Sequence, residues 1–276
     1  MKSKNINAIK NALWAVCIAV SLCFLVIGLL FASFHKYRGE AEVDTGLVAL
    51  SQNEEEAPID ISSGTIGIGN ARGELHTLNE IPDVGEGYLY KLTFLIDSTF
   101  INLRDLGLVD KNQVWATSSG SMKMETLPTA NIVYPNDGSI ISPVNAAMVK
   151  KPEILVIAIG TDGLAAVDEN TFLLNYDQLV KDIMSASPDT TVICCGLPSV
   201  IAGYNGNDGL NVSVISDGND WVQMVCRDTG AYFLNVQEEL SESVQLISKY
   251  AGSNGKTLNR SGIEAFLGYL RTHALQ

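Results

Sequence analysis

The sequence predicts an α/β fold, a three-layer α/β/α sandwich built on a parallel sheet and preceded by one transmembrane helix. Three observations lead there. The run Ile154-Leu155-Val156-Ile157-Ala158-Ile159 is continuously apolar, as expected of a strand covered on both faces. Thr190 to Leu197 is a second run of the same kind. Between them Phe172, Tyr176, Leu179 and Ile183 recur at three- and four-residue spacing, the signature of a helix with one apolar face. Strands alternating with helices imply parallel pairing, with helices on both sides of the sheet.

Taken in order, the chain opens with a basic segment, residues 1–10, expected on the cytoplasmic side. From Asn11 through Phe34 there are 24 residues without a charge. At about 1.5 Å per residue this spans a hydrocarbon core of roughly 30 Å, so residues 11–35 are expected to be a membrane helix. The run exceeds the usual apolar stretch of about 7–15 residues in a cleaved signal peptide, and no small-x-small cleavage site follows it. Leu22 before Cys23 is also too bulky for lipid attachment. Lys2, Lys4 and Lys10 on one side outweigh Lys36 and Arg38 on the other, a modest bias toward a cytoplasmic N-terminus and an extracytoplasmic C-terminal domain.

The first 38 residues hold five basic and no acidic residues, leaving 13 basic against 31 acidic, a net of −18 for the remainder. Such a charge repels polyanions, and no nucleic-acid partner is expected. Residues 36–87, acidic and Gly-rich with the run Glu54-Glu55-Glu56, read as a stalk. Gly67-Ile68-Gly69 and Gly73 follow no apolar strand and do not make a nucleotide loop. Among the five cysteines, Cys194 and Cys195 are strand neighbours that point to opposite faces, and no spacing suggests a zinc site. No metal or cofactor is expected.

The working domain is expected over residues 88–276. Lys91 to Ile96 reads as a strand delivering Asp97-Ser98 at its carboxyl end, where parallel sheets present their chemistry, and Ser98 is the candidate nucleophile. Gln113 to Ala116 suggests a short strand and Pro143 to Lys150 a helix. Asp168 can cap the helix that carries Phe172 to Ile183, and Pro188 ends it. Trp221, Val222 and Val225 mark another helix and Ala231 to Val236 another strand. Asn259 then caps a last helix with Ile263, Phe266, Leu267 and Leu270 on one stripe. The crevice-lining segments are therefore Asp97-Ser98, Ser118 to Gly120, Gly160 to Gly163 and the turn before the last helix.

Those four segments, in that order, resemble the sequence blocks of the SGNH (GDSL-type) hydrolases, from about Tyr88 to the C-terminus. Phe94-Leu95-Ile96-Asp97-Ser98 is similar to the block that usually reads Gly-Asp-Ser, with Ile96 in place of the glycine. Ser118-Ser119-Gly120 resembles the second block, which implies that Gly120 offers its backbone N–H to an oxyanion. Ile159-Gly160-Thr161-Asp162-Gly163 resembles the third, with Asp162 where the family places an oxyanion-binding Asn. Ser253 to Asn259 resembles the fourth, which puts Asn254 in the position of the family's Asp and Thr257 in that of its His.

The departures undercut the chemistry that the resemblance implies. Thr257 is no base near neutral pH, Asn254 lacks the charge that would support an imidazolium, and an ionised Asp162 offers acceptors where donors are needed. Losing one oxyanion donor costs roughly 10²–10³ in rate. Neither His76 nor His273 is placed to replace the base, and nothing in the sequence lowers the pKa of Lys256. The expectation is a membrane-anchored pseudoenzyme that binds a cell-surface glycan or an envelope protein, or that serves as an assembly part. The competing expectation is an active serine esterase or O-acyltransferase on cell-surface carbohydrate.

Overall fold

A computed structural model describes residues 73–276. The expected membrane helix at 11–35, and the expected stalk as far as residue 72, lie outside the described residues. Among the described residues no helix is long and apolar enough to cross a membrane.

The strands of the main sheet are β1 (His76–Thr77), β2 (Leu92–Ile96), β3 (Val114–Trp115), β6 (Ile154–Ala158), β7 (Thr191–Cys195) and β8 (Tyr232–Leu234). They lie in the order β1-β8-β7-β6-β2-β3, and every neighbouring pair is parallel. Two small antiparallel pairs stand apart, β4 (Ile132–Val133) with β5 (Ile140–Ile141) and β9 (Ser241–Glu242) with β10 (Gln245–Leu246). The helices are α1 (Asn102–Asp105), α2 (Pro143–Lys150), α3 (Glu169–Ala186), α4 (Val212–Thr229), α5 (Gln237–Leu240) and α6 (Arg260–Thr272).

Strand alternation divides the core into two layers. Leu95, Trp115, Leu155, Ile157, Cys194 and Phe233 face one side, packed with Phe172, Tyr176 and Ile183 of α3 and Ile215, Val222 and Val225 of α4. Phe94, Ile96, Val114, Val156, Ala158, Ile193 and Cys195 face the other, against Ile263, Phe266 and Leu270 of α6. Phe266 sits 4.9 Å from Phe100 and 6.3 Å from Phe94, centroid to centroid, each such pair adding about 0.5–1.5 kcal/mol beyond its buried area. Cys194 and Cys195 thus occupy opposite layers, both buried and both free.

The helix starts follow from their caps. Ser142 accepts from the Asn145 N–H with Pro143 at the first helical position, Asp168 accepts from Thr171, and Asn259 accepts from Gly262. Helix α4 begins well before the Trp221 cluster because the Asn211 side chain accepts from both the Ser213 and Val214 N–H groups. The folded domain also starts earlier than composition suggests. His76 and Thr77, read as stalk, pair with Tyr232 and Phe233, and Ile81 donates its N–H to Thr272 O of α6.

Candidate functional site

Ser98 follows the carboxyl end of β2, a central strand flanked by β6 and β3. The ladder to β6 continues one step past the strand, with Asp97 N–H donating to Ala158 O at 3.2 Å, and the chain then turns as Phe100 N–H donates to Asp97 O. Ser98 is therefore held at the sheet rim and remains partly accessible, while Asp97 and Thr99 on either side are buried.

Asp97 is the anchor of the site. Its Oδ2 accepts the backbone N–H groups of Gly160 (3.1 Å), Thr161 (2.9 Å) and Asp162 (3.3 Å), and its Oδ1 accepts that of Thr99 (2.9 Å). One carboxylate thus clamps the loop after β6 onto the loop after β2. Gly160 makes the clamp possible with φ +126°, a conformation that L side chains rarely adopt. Burial, and next the charge of Asp162, push Asp97 up to about 7, against the pull of its amide donors.

That clamp delivers the Asp162 side chain to Ser98. The Ser98 hydroxyl donates to Asp162 Oδ1 at 2.6 Å, and the Ser98 N–H donates to Oδ2 at 3.2 Å. The Met122 N–H donates to the same Oδ2 at 3.1 Å, and Lys256 Nζ reaches Oδ1 at 3.4 Å. Asp162 is 6% exposed. Four donors, two of them backbone amides, converge on one buried carboxylate.

The second block contributes differently from expectation. Gly120 spends its N–H on Thr117 O (3.1 Å) in a turn with φ +78°, and its backbone lies against Ile101. The amide that faces Asp162 belongs to Met122, two residues on. Nothing in Ser118-Ser119-Gly120 signals that shift, because it depends on the turn's closure.

The fourth block holds Asn254 and Thr257 against each other as a hydrogen-bonded pair. Asn254 Nδ2 donates to Thr257 Oγ1 at 2.9 Å, and Asn254 Oδ1 accepts from Thr257 N–H at 2.9 Å. The Thr257 hydroxyl then donates to the Ser98 backbone carbonyl at 3.2 Å, away from the Ser98 hydroxyl. Leu258 N–H donates to Thr99 O, which stitches this turn to the serine loop. His76 lies on β1 beside Tyr232, and His273 is buried and stacked on Tyr269 at 3.8 Å. Among the described residues no histidine meets Ser98.

Lys256 occupies the space between the two loops. Its Nζ pairs with Asp208 Oδ2 at 3.0 Å as well as with Asp162, and Tyr204 OH donates to the same Asp208 oxygen at 2.8 Å. Burial disfavours the Lys256 charge, but the Asp208 hydrogen bond and the charges of Asp162 and Asp208 raise its pKa above the ordinary lysine value. Lys256 is therefore held between two carboxylates that favour its charged form. Partial burial likewise opposes the charge of Asp208, yet the Lys256 and Tyr204 hydrogen bonds hold its pKa below the usual carboxylate range. Asp208 and Tyr204 carry no motif, and sequence reasoning had no means of bringing their loop to Lys256. Among the described residues no cluster of His, Cys, Asp and Glu is arranged to hold a metal ion.

Comparison with known proteins gives a likeness of fold. The sequence matches no protein-family model and no curated protein. In structure the chain is similar to a protein provisionally described as a platelet activating factor from Streptococcus pneumonia, at 18% identity over 66% of this chain and 82% of that one, with a TM-score of 0.49. It is also similar to a GDSL-like lipase from Bacteroides thetaiotaomicron (12% identity, 69% and 90% covered, TM-score 0.45). A carbohydrate esterase family 3 protein from Talaromyces cellulolyticus is a third (11% identity, 65% and 93% covered, TM-score 0.43).

Proposed function

We propose that this chain is a non-hydrolytic member of the SGNH-like fold, tethered to a membrane by residues 11–35, that acts by binding or assembly at the cell envelope. Its partner in that reading is a cell-surface glycan or an envelope protein. The observation that carries the loss of hydrolysis is the position of Asp162. The Ser98 and Met122 amides, which would stabilise a developing oxyanion, both donate to Asp162 Oδ2. A tetrahedral intermediate would have to expel that carboxylate before using either amide.

Breaking even two of these charge-assisted bonds costs about 3 kcal/mol, before the missing base is considered. The Ser98 proton points at a carboxylate that Lys256 also contacts, and Thr257 offers only a hydroxyl. The short Ser98–Asp162 bond favours the second reading, an active esterase or O-acyltransferase with Asp162 as base. One carboxylate cannot both accept the serine proton and leave the amides free.

The test is turnover of p-nitrophenyl acetate by the full chain, with Ser98→Ala as control. Equal rates for the two proteins are expected. Turnover that vanishes in Ser98→Ala would establish the esterase reading instead.

A further inference from the structure

Among the described residues the polar cluster most fully built, yet with no role in a binding event, is the one around Asp162. Two backbone N–H groups, one hydroxyl and one ammonium surround a single side-chain carboxylate, and each lies within 3.4 Å of one of its oxygens. The Ser98 and Lys256 donors have anchors besides that carboxylate. Ser98 is set by the turn after β2, Lys256 is also paired with Asp208, and its loop is joined to the serine loop through Leu258 and Thr99. The Asp162 backbone is fixed independently too, its N–H bound to Asp97 and its carbonyl accepting from Met124 N–H at 3.0 Å. The side chain therefore behaves as a ligand that happens to be covalently attached.

We propose that this pocket is a carboxylate receptor occupied by its own Asp162, and that an external small monocarboxylate takes the same four donors when the Asp162 carboxylate is removed. The inference rests on the reading that the hole is filled and hydrolytically silent. The chemistry of the ligand follows from the donor set: Ser98 N and Met122 N meet one oxygen, and Ser98 Oγ and Lys256 Nζ meet the other. Two oxygens of one planar, singly charged group satisfy all four, whereas a halide presents one centre and a neutral amide would set its own N–H groups against the ammonium. Lys256, with only 15% of its side chain exposed, supplies the charge match. Because Asp162 is tethered at very high effective concentration, the native chain excludes the external ligand.

The test uses the full chain in detergent micelles, with unfolding followed by tryptophan fluorescence. Acetate and formate are the probes, and chloride at equal ionic strength is the control. Asp162→Ala is expected to melt below the native chain and to regain a saturable rise of about 3 °C or more with acetate or formate over chloride. The native chain and Asp162→Asn, whose pockets stay filled, are expected to show no such rise. Adding Lys256→Met to Asp162→Ala is expected to weaken the acetate response at least tenfold in concentration. Where the alanine variant does not fold, Asp162→Ser takes its place. A carboxylate response that is absent from the emptied pocket, equal in the native chain, or indifferent to Lys256 would overturn the proposal. None of these results depends on whether Ser98 turns over an ester, so the two readings fail separately.

Discussion

Replacing Lys256 by Met removes the cation that joins the serine loop, the loop after β6 and the segment carrying Tyr204 and Asp208. The methionine keeps most of the apolar stem, so the change isolates the charge. At 3.4 Å and an effective dielectric of about 20, the Lys256–Asp162 attraction is about 5 kcal/mol before desolvation. Much of that is offset, since Lys256 is itself partly buried and methionine needs no hydration. Asp162 also keeps three other donors, and Asp208, with its side chain 32% exposed, can turn to water. The net loss is about 1–2 kcal/mol, below the roughly 3–5 kcal/mol typical of breaking a fully buried pair. For a domain of this size that corresponds to a fall in Tm of about 2–8 °C. Urea denaturation of the native chain, Lys256→Met, Asp208→Asn and the double variant would measure it and return the coupling. A Lys256→Met chain as stable as the native one, with no coupling to Asp208, would refute the role given to this cation.

Two further outcomes follow from the same geometry. Burial raises Asp97 to about 7 from its ordinary 3.8, so the folded state binds its proton more tightly than the unfolded state does. Its contribution to stability is complete below about pH 4 and is lost as the pH rises through about 7, by about 4 kcal/mol at most. The difference in unfolding free energy between the native chain and Asp97→Asn, measured from pH 4 to 8, should carry that slope; a flat difference would contradict it. Separately, Asp162→Asn, Asn254→Asp and Thr257→His made together replace the carboxylate beside Ser98 by a neutral side chain that can donate, and restore a base and its partner. Ser98-dependent hydrolysis of p-nitrophenyl acetate is expected to exceed that of the native chain by about 10²-fold or more. No gain in a folded triple variant would show that the block positions do not correspond as assigned.

Much of the architecture was legible because it rests on local signals. The apolar run after Glu153 has no polar face to turn to water, so it had to be a central strand. Ser142-Pro143, Asp168 and Asn259 mark helix starts by chemistry that acts within three residues. Strand β1 was not legible, because two exposed residues gain their structure only by pairing with β8, far along the chain. The site divides the same way. The blocks single out Ser98, Asp162, Asn254 and Thr257, but they do not say where side chains point. That the Ser98 and Met122 amides both donate to Asp162, that Met122 and not Gly120 faces it, and that Asp208 and Tyr204 gather at Lys256 all depend on loops meeting across the sheet rim. Asp97 was visible as the neighbour of Ser98, yet its hold on three successive amides of the Gly160 loop emerges only in three dimensions.

The central claim is that Ser98 holds a nucleophile's position without a nucleophile's surroundings. Intact-mass measurement of the full chain after treatment with excess diisopropyl fluorophosphate addresses it directly, because phosphorylation of a serine by this reagent needs both a base for its proton and donors for the developing charge. The predicted result is an unmodified mass, the same for the native chain and for Ser98→Ala. One diisopropylphosphoryl group per chain on the native protein, mapped to Ser98 and absent from Ser98→Ala, would contradict it.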